Sequence, residues 1–316
     1  MKKVFLFLVC VLCGTGMYAA FPTSNDTVNT VWVNYNEGSA SVVVSENIAS
    51  YISGSVNGGA VSLVQSTSVS ASTGEIEYIL SGSSSNGSFY LEGSYKAGVS
   101  LAGLTLTNPS GAAIDIQNGK RIHLSVKRGT ENTIVDGTSG VSDAWKGALQ
   151  CKGHLEFKGY GSLTVTGKYN NAIWSKEYIE VKNCTIHVVG AANDAVNCNQ
   201  YFLMESGVMN LSGFKGDGIQ VSKKTTGGVV DTGAENTGNF TMTGGTINID
   251  MSASSGAAVQ YEGTKSVASG ATLNTSWTTA VENTPAQETT ARKIIQNGKV
   301  LIVRGEEIYD LLGNRL

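Results

Sequence analysis

Three polar residues recur at one position of a sequence repeat. Asn171, Asp194 and Asp217 lie 23 residues apart, and each precedes a short apolar run, in NNAIWS, NDAVNC and GDGIQV. If these runs stack as neighbouring strands, equivalent side chains lie about 4.8 Å apart. Two carboxylates at that distance repel by roughly 1–3 kcal/mol at a surface-like dielectric constant. They must therefore stay solvated, share a proton or hold a cation between them.

The column has two interpretations. An all-oxygen set suits calcium, with Asp194 and Asp217 as carboxylate ligands and Asn171 as a carbonyl ligand, and an inserted loop could add Asp231 or Glu235. Alternatively, Asp and Asn cap turns by accepting hydrogen bonds from backbone N–H groups. The residue types leave both open, so calcium is predicted here as a cofactor that a melting experiment must test.

A second set of residues could bind sugars. Trp174 lies between Ile173 and Ser175, which belong to the inward side of an alternating run, so the indole should face outward. The residues predicted to accompany it are Gln150, Asn197 and Gln220, its equivalents in neighbouring repeats, with Trp145 and Tyr169 in flanking segments. An indole that stacks on a sugar, beside amides that bind hydroxyls, is typical of a carbohydrate-binding surface. Alternatively, a neighbouring segment covers Trp174.

Catalysis is the less favoured alternative. A calcium-dependent polysaccharide lyase would need carboxylate ligands beside a proton-abstracting cation, for which Lys176, Lys223 and Lys224 are nearby. A hydrolase would need paired acids on one strand face, whereas the outward columns offer mostly Gln, Asn, Trp, Thr and His. His123, His154 and His187 are scattered and fit structural or solvated roles. We therefore predict a non-catalytic binding protein, with a structural or adhesive stalk as a further alternative.

The elements that position these residues follow from the repeat. The predicted inward columns are Leu149/Ile173/Val196/Ile219, Leu155/Ile179/Phe202/Phe240 and Leu163/Ile186/Met209/Ile247, with an insertion near residues 222–236. Each repeat holds three short strands that alternate apolar and polar residues, and one repeat alone has nothing to bury its apolar face against. The pattern predicts an all-β fold, namely a right-handed parallel β-helix, a single-stranded solenoid with three strands per coil of about 23 residues.

Composition limits the cellular setting and the partners. MKKVFLFLVCVLCGTGMYAA has the layout of a secretory signal peptide, with cleavage near Ala19 or Ala20. No other segment has 18 consecutive apolar residues, so we expect no transmembrane segment. Removing residues 1–20 changes the charge to 20 − 25 = −5, which makes nucleic acid an unexpected partner. The chain is predicted to be exported to the outside or surface of a bacterium, or to its periplasm.

The cysteines fit core positions. Cys151, Cys184 and Cys198 remain after the signal peptide, in odd number and without a CxxC pair. Cys151 and Cys198 lie two repeats apart, about 9.5 Å at strand spacing, which is too far for a disulfide.

Two motifs resemble a known family. KRGTENTIVDGTSG (127–140) and GYGSLTVTGKYNNAIWSKEYIEV (159–181) are similar to those of secreted parallel β-helix carbohydrate-binding domains with a pectate-lyase-like fold, described for cellulose and pectin-type polymers. The resemblance spans roughly residues 75–262 and implies polysaccharide and calcium binding. Two of the three D-G-I turns of that family read NAI and DAV here.

These observations predict the domain organisation. We predict a signal peptide at 1–20, a carbohydrate-binding β-helix at 21–263 whose part 21–75 is irregular, a Ser/Thr/Ala-rich linker at 264–290 and a β-rich tail at 291–316. The tail, with its closing IYDLLGNRL, resembles the short C-terminal modules of proteins exported by the type IX system. That resemblance implies export or surface-anchoring machinery as a partner.

Overall fold

The computed structural model describes residues 20–139, 142, 144–278, 292–296, 299–304 and 307–309. The chain divides into two units, Met1–Thr278 and Thr279–Leu316. The described residues form strands and one 3-10 helix, Glu46–Tyr51, so the all-β prediction is confirmed for them. The predicted signal peptide, apart from Ala20, lies outside the described residues.

The N-terminal part of the first unit combines hairpins with parallel pairing. β2 pairs antiparallel with β3, and β4 pairs antiparallel with β5, whereas β6 and β7 lie parallel to β2 and β5 respectively. The strands of this part are β1 (Thr23–Ser24), β2 (Thr30–Asn36), β3 (Ser39–Ser45), β4 (Ile52–Asn57), β5 (Gly59–Gln65), β6 (Ile76–Ser84) and β7 (Gly87–Gly93).

The central part consists of parallel strands. They are β8 (Ala97–Thr107), β9 (Ile114–Asn118), β10 (Arg121–Val126), β11 (Glu131–Val135), β12 (Gly147–Cys151), β13 (His154–Gly159), β14 (Ser162–Gly167), β15 (Asn171–Ser175), β16 (Ile179–Val181), β17 (Thr185–Ala191), β18 (Val196–Cys198), β19 (Tyr201–Met204), β20 (Val208–Leu211) and β21 (Ile219–Val221). Within it, each strand from β12 to β18 pairs in parallel with the strand three positions later in the chain.

The predicted inward columns are confirmed. The strand register aligns Leu149 with Ile173, Val196 and Ile219, and Leu155 with Ile179, Phe202 and Phe240. It also aligns Leu163 with Ile186, Met209 and Ile247. All twelve side chains are completely buried. Their alternation with polar residues therefore did locate the core, because side chains of a strand point to opposite faces in turn.

The predicted architecture, a right-handed single-stranded parallel β-helix with three separate strands in each coil, is wrong. Among the described residues of the first unit, the strands form a 17-stranded sheet, a 9-stranded sheet and a small hairpin. β8 is one continuous strand that pairs with both β10 and β11, and so joins two of the expected strand rows into one sheet. The residues Ala102 and Gly103 continue β8 instead of turning. The antiparallel hairpins β2–β3 and β4–β5 also depart from a regular repeat.

Strands continue beyond residue 221. β22 (Thr225–Thr226) and β23 (Val229–Val230) form an antiparallel hairpin within the predicted insertion. The parallel pairing then resumes with β24 (Asn239–Met242), β25 (Thr246–Ile249), β26 (Val259–Tyr261), β27 (Lys265–Val267) and β28 (Thr272–Asn274). Because β27 pairs with β24 and β28 pairs with β25, residues 265–274 extend the 17-stranded sheet rather than forming the predicted linker.

The second unit contains a separate antiparallel sheet. Its strands are β29 (Arg292–Gln296), β30 (Lys299–Arg304) and β31 (Glu307–Tyr309). The part of the tail motif that follows Tyr309 lies outside the described residues.

The cysteine prediction is confirmed. Cys151, Cys184 and Cys198 are free and buried in the core of the first unit. Burial raises the pKa of each of the three thiols to about 12, so they remain neutral at ordinary pH and pack as small apolar groups.

Asp136 is a charged exception inside this core. Its side chain is 0% exposed and accepts a hydrogen bond from the backbone N–H of Lys168. Burial raises the pKa of Asp136 to about 6, against the opposing effect of hydrogen bonds from backbone N–H groups. The ionised carboxylate therefore costs stability at neutral pH.

We expect Asp136→Asn to stabilise the protein at pH 7. The amide oxygen can still accept the Lys168 N–H bond, but no charge is buried. The pKa of Asp136 in the folded state lies above its ordinary value. The wild-type free energy of unfolding should therefore decrease as the pH rises from about 4 to about 6. The variant should exceed wild type by about 1–3 kcal/mol at pH 7, and this difference should vanish below pH 4. Denaturant unfolding at several pH values measures both, and a variant less stable at pH 7 would contradict the assignment.

Candidate functional site

A row of outward-facing side chains crosses the 9-stranded sheet. The register places Gln150, Trp174, Asn197 and Gln220 opposite one another on β12, β15, β18 and β21, which confirms their predicted alignment. The same row continues to Gln260 in one direction, and to Asp115 and Tyr90 in the other. We call these seven residues the outer ladder. Neighbouring members are separated by one strand spacing, about 4.8 Å.

Trp174 occupies the middle of the outer ladder. Its side chain is half-buried, between the fully buried inward residues Ile173 and Ser175. Gly147 lies directly beside it, because a Cβ atom built at Gly147 would lie 3.2 Å from the Trp174 Cβ. The absence of a side chain at Gly147 thus leaves room beside the Trp174 backbone and Cβ.

Asn197 and Gln220 form the polar part of the ladder next to Trp174. The Asn197 amide nitrogen donates to Gln220 Oε1 at 2.5 Å and to Asp194 Oδ2 at 2.8 Å. These bonds fix the orientation of the Asn197 amide before any ligand arrives. Both amides are half-buried, so each keeps surface from which it can bind a hydroxyl group.

Two of the predicted sugar-binding residues are not exposed. Gln150 is 3% exposed, and its Oε1 accepts the backbone N–H of Lys146 at 2.7 Å. Trp145 is 4% exposed and is covered by Tyr169, with 4.7 Å between the ring centroids. Gln150 and Trp145 therefore present almost no surface to a ligand. Tyr169 is half-buried and stays near the surface.

Asp115 and Tyr90 are ladder members that the sequence reasoning missed. Asp115 is half-buried, and its Oδ1 accepts a hydrogen bond from Gln117 at 2.7 Å. Burial raises the pKa of Asp115, while hydrogen bonds from Gln150 and Gln117 act in the opposite direction. Tyr90 donates to Glu92 at 3.3 Å. The alternation of apolar and polar residues in AIDI and FYLEG could have identified them. Asp115 lies between two buried isoleucines, and Tyr90 lies between buried Phe89 and Leu91.

Asn171, Asp194 and Asp217 form a second, more buried row at the turns. Asn171 Oδ1 accepts the backbone N–H of Asp194 at 3.0 Å, and Asp194 Oδ1 accepts that of Asp217 at 2.8 Å. Asp217 Oδ1 in turn accepts the backbone N–H of Ala257 at 2.6 Å. Each side chain thus caps the turn of the next repeat. We call this row the cap ladder.

The donors around the cap ladder fit a turn cap better than a cation. Both oxygens of Asp194 accept hydrogen bonds, Oδ1 from Asp217 N–H and Oδ2 from Asn197. Burial raises the pKa of Asp194, and the nearby charge of Asp217 acts in the same direction. No group of three or more His, Cys, Asp or Glu side chains that could hold a metal ion occurs among the described residues. In the folded chain the side chains of the cap ladder are thus engaged as turn caps.

A family model matches most of the chain. The match covers residues 65–309, and the family is described as carbohydrate-binding domain-containing protein. The chain belongs to this carbohydrate-binding family. The match includes every member of the outer ladder and of the cap ladder.

A solved structure agrees with this fold. It is described as the polysaccharide lyase-like protein from C. thermocellum, in a gadolinium derivative. The TM-score is 0.57 at 18% sequence identity, and the alignment covers 78% of this carbohydrate-binding family member and 99% of that chain. At that identity the likeness concerns the fold alone. No curated protein matches the chain.

A membrane-spanning helix is not found. Within the part of the chain that the structure describes, no helix combines the length and apolar character that a bilayer crossing requires.

Proposed function

We propose that this carbohydrate-binding family member binds polysaccharide through the outer ladder, without cleaving the polymer there. The observation that carries the proposal is the position of Trp174, half-buried in the middle of a polar row that crosses one sheet. An aromatic ring supplies a large rigid contact area, and the fixed amides of Asn197 and Gln220 beside it set the orientation of hydroxyl groups. The regular strand spacing offers similar contacts to successive units of a polymer.

The outer ladder lacks the pair of acidic side chains that glycoside hydrolysis requires. Asp115 is its only acidic member, and that carboxylate is held by Gln117 and Gln150. Of the lysines considered for a lyase, Lys224 forms an ion pair with Glu177 at 2.8 Å. Binding and cleavage are nevertheless separable in one experiment, because a lyase releases unsaturated products that absorb ultraviolet light.

The direct test is retention of the purified protein on insoluble polysaccharides. Cellulose and a crosslinked pectin-type acidic polymer should be compared, each with calcium and with a chelator. We expect retention on at least one polymer, without release of absorbing products. Release of such products would instead indicate the lyase alternative. Absence of retention on every polymer under both conditions would contradict binding and favour the structural or adhesive stalk.

Calcium remains a prediction that melting experiments test. If a site forms around Asp194 and Asp217, calcium should raise the melting temperature and a chelator should reverse the change. If the two residues act only as turn caps, neither addition should shift melting. The hydrogen bonds of the cap ladder favour the second outcome.

Export is proposed on sequence grounds. The N-terminal apolar segment predicts secretion, and the tail predicts delivery by or attachment through export machinery at the cell surface. Fractionation of the native host, with and without residues 291–316, tests this. Equal surface amounts of both forms would contradict a sorting role for the tail.

A further inference from the structure

A second group of titratable side chains lies on the 17-stranded sheet. The register places His123, Glu156 and Glu180 opposite one another on β10, β13 and β16. Beside them Arg121 is opposite His154, and Tyr178 and Tyr201 precede the buried residues Ile179 and Phe202. This face belongs to a different sheet from the outer ladder and shares no residue with it.

Stacked rings hold the two carboxylates. His154 contacts Tyr178 in a tilted arrangement with ring centroids 4.3 Å apart, and Tyr178 stacks on Tyr201 at 4.5 Å. The Tyr178 hydroxyl donates to Glu156 Oε1 and the Tyr201 hydroxyl donates to Glu180 Oε1, each at 2.7 Å. The two tyrosine hydroxyls thus position Glu156 and Glu180.

The surroundings of the two carboxylates differ. Glu156 Oε2 lies 2.9 Å from His123 Nδ1 and 3.9 Å from Arg121 Nε. Burial acts to raise the pKa of Glu156, but hydrogen bonds from His123 and Tyr178 and the charge of Arg121 lower it overall. Burial raises the pKa of Glu180, and the nearby charges of Glu156 and Glu205 add to the increase against the Tyr201 hydrogen bond. Glu156 is thus kept ionised, whereas Glu180 holds a proton more readily.

The carboxylates line an open depression. Its volume is about 190 Å³, which suits one saccharide unit better than a larger ligand. His123, Glu156, Lys158, Glu180, Lys182 and Glu205 form its polar walls. Lys182 is ion-paired with Glu205 at the rim.

We propose that Glu156 and Glu180 form an acid–base pair that hydrolyses a glycosidic bond. They are equivalent residues on adjacent parallel strands, which lie about 4.8 Å apart. Retaining glycosidases place their two carboxyl groups about 5–5.5 Å apart. Because side chains at equivalent positions of neighbouring strands project in the same direction, we expect a similar separation for the two carboxyl groups, which is close to the double-displacement geometry and shorter than the roughly 6.5–9.5 Å of inverting enzymes.

The reaction balances with water as the only co-reactant. Protonated Glu180 gives its proton to the glycosidic oxygen as the bond from that oxygen to the anomeric carbon breaks. The Glu156 carboxylate attacks the anomeric carbon and forms a glycosyl ester. Glu180, now ionised, takes a proton from water, whose oxygen attacks the same carbon and releases the Glu156 carboxylate. One glycoside and one water give two saccharides, with retained configuration.

The test uses the full chain and two kinds of substrate. One is the polysaccharide on which the wild type is retained, assayed by reducing ends, and the other is a panel of p-nitrophenyl glycosides. Glu156→Gln should abolish hydrolysis of both kinds. Glu180→Gln should lose at least about 100-fold on the polysaccharide, but should keep most activity on the nitrophenyl glycosides, whose leaving group needs no acid. Glu131→Gln, exposed on β11, is the matched control and should behave as wild type.

The outcomes separate this pair from the outer ladder. Wild-type protein that releases neither reducing ends nor nitrophenol would overturn the proposal. Equal losses in both glutamine variants on both substrates, accompanied by lower melting temperatures, would assign the pair a structural role and overturn it as well. Retention on polysaccharide is scored independently. The nitrophenyl panel therefore tests the pair even if no polymer is retained.

Discussion

Trp174→Ala is expected to lose most of the polysaccharide binding. The indole is the only tryptophan side chain of the outer ladder, and truncation removes its stacking surface from between Gln150 and Asn197. Buried aromatic anchors of a binding surface commonly contribute about 2 kcal/mol or more, which corresponds to roughly 30-fold weaker binding. A depletion isotherm on the retained polymer measures the change, and Trp174→Tyr should recover part of it because an aromatic face remains.

A matched aromatic control distinguishes this effect from general loss of surface. Tyr160 is 57% exposed and lies under the Arg128 guanidinium, which is 4.2 Å from its ring centroid. It follows β13 and is not a member of the outer ladder. Tyr160→Ala should bind as wild type. If both alanine variants bind normally while the wild type is retained, the ligand surface lies elsewhere on the molecule.

The sequence predicted the core well because a buried strand imposes a simple rule. Leu149, Ile173, Val196 and Ile219 alternate with polar residues, and side chains along a strand alternate between faces. Equivalent residues at a constant interval could therefore be aligned before their strands were known. The same rule assigned Cys151 and Cys198 to the core.

The sheet architecture was harder to predict than the core. It depends on whether the chain turns or continues at residues that are compatible with either. Ala102 and Gly103 are compatible with a turn, yet β8 continues through them as one strand. Gly103 has a φ of 81°, a left-handed conformation that glycine adopts without strain, and it accommodates the irregularity inside the strand. Only the pairing of β8 with two later strands decides between a bend and a continuation.

The candidate sites were likewise predictable only in part. The register of Trp174 with Asn197 followed from periodicity, whereas the burial of Trp145 follows from loop packing, which periodicity does not encode. The Glu156–Glu180 pair was overlooked although both residues occupy the outward position of predicted strands. What distinguishes the pair is its hydrogen bonds with two tyrosines of the following repeats. Tyr178 donates to Glu156, and Tyr201 donates to Glu180. Strand alternation alone does not predict these contacts.

Asp194→Ala is expected to lower the stability of the protein. The Asp194 side chain is almost fully buried and accepts hydrogen bonds from Asp217 N–H and Asn197. Removing it leaves the Asp217 N–H without its acceptor, at about 1–3 kcal/mol, whereas the Asn197 amide keeps its bond to Gln220. For a domain of this size the melting temperature should fall by about 2–12 °C, at roughly 2–4 °C per kcal/mol. Thermal unfolding followed by circular dichroism measures the change.

Asp194→Asn then separates a turn cap from an ion ligand. The amide oxygen can still accept the Asp217 N–H bond, as Asn171 does for Asp194 in the same ladder. The charge, which burial disfavours, is removed, so the loss of the Asn197 bond is partly offset and the melting temperature should stay within about 3 °C of wild type. A calcium ligand would behave differently, because this substitution removes one of the two negatively charged ligands that would hold the ion. If calcium raises the melting temperature of wild type but not of Asp194→Asn, the cap ladder binds the ion. Equal melting of the two proteins with and without calcium assigns Asp194 to the turn alone.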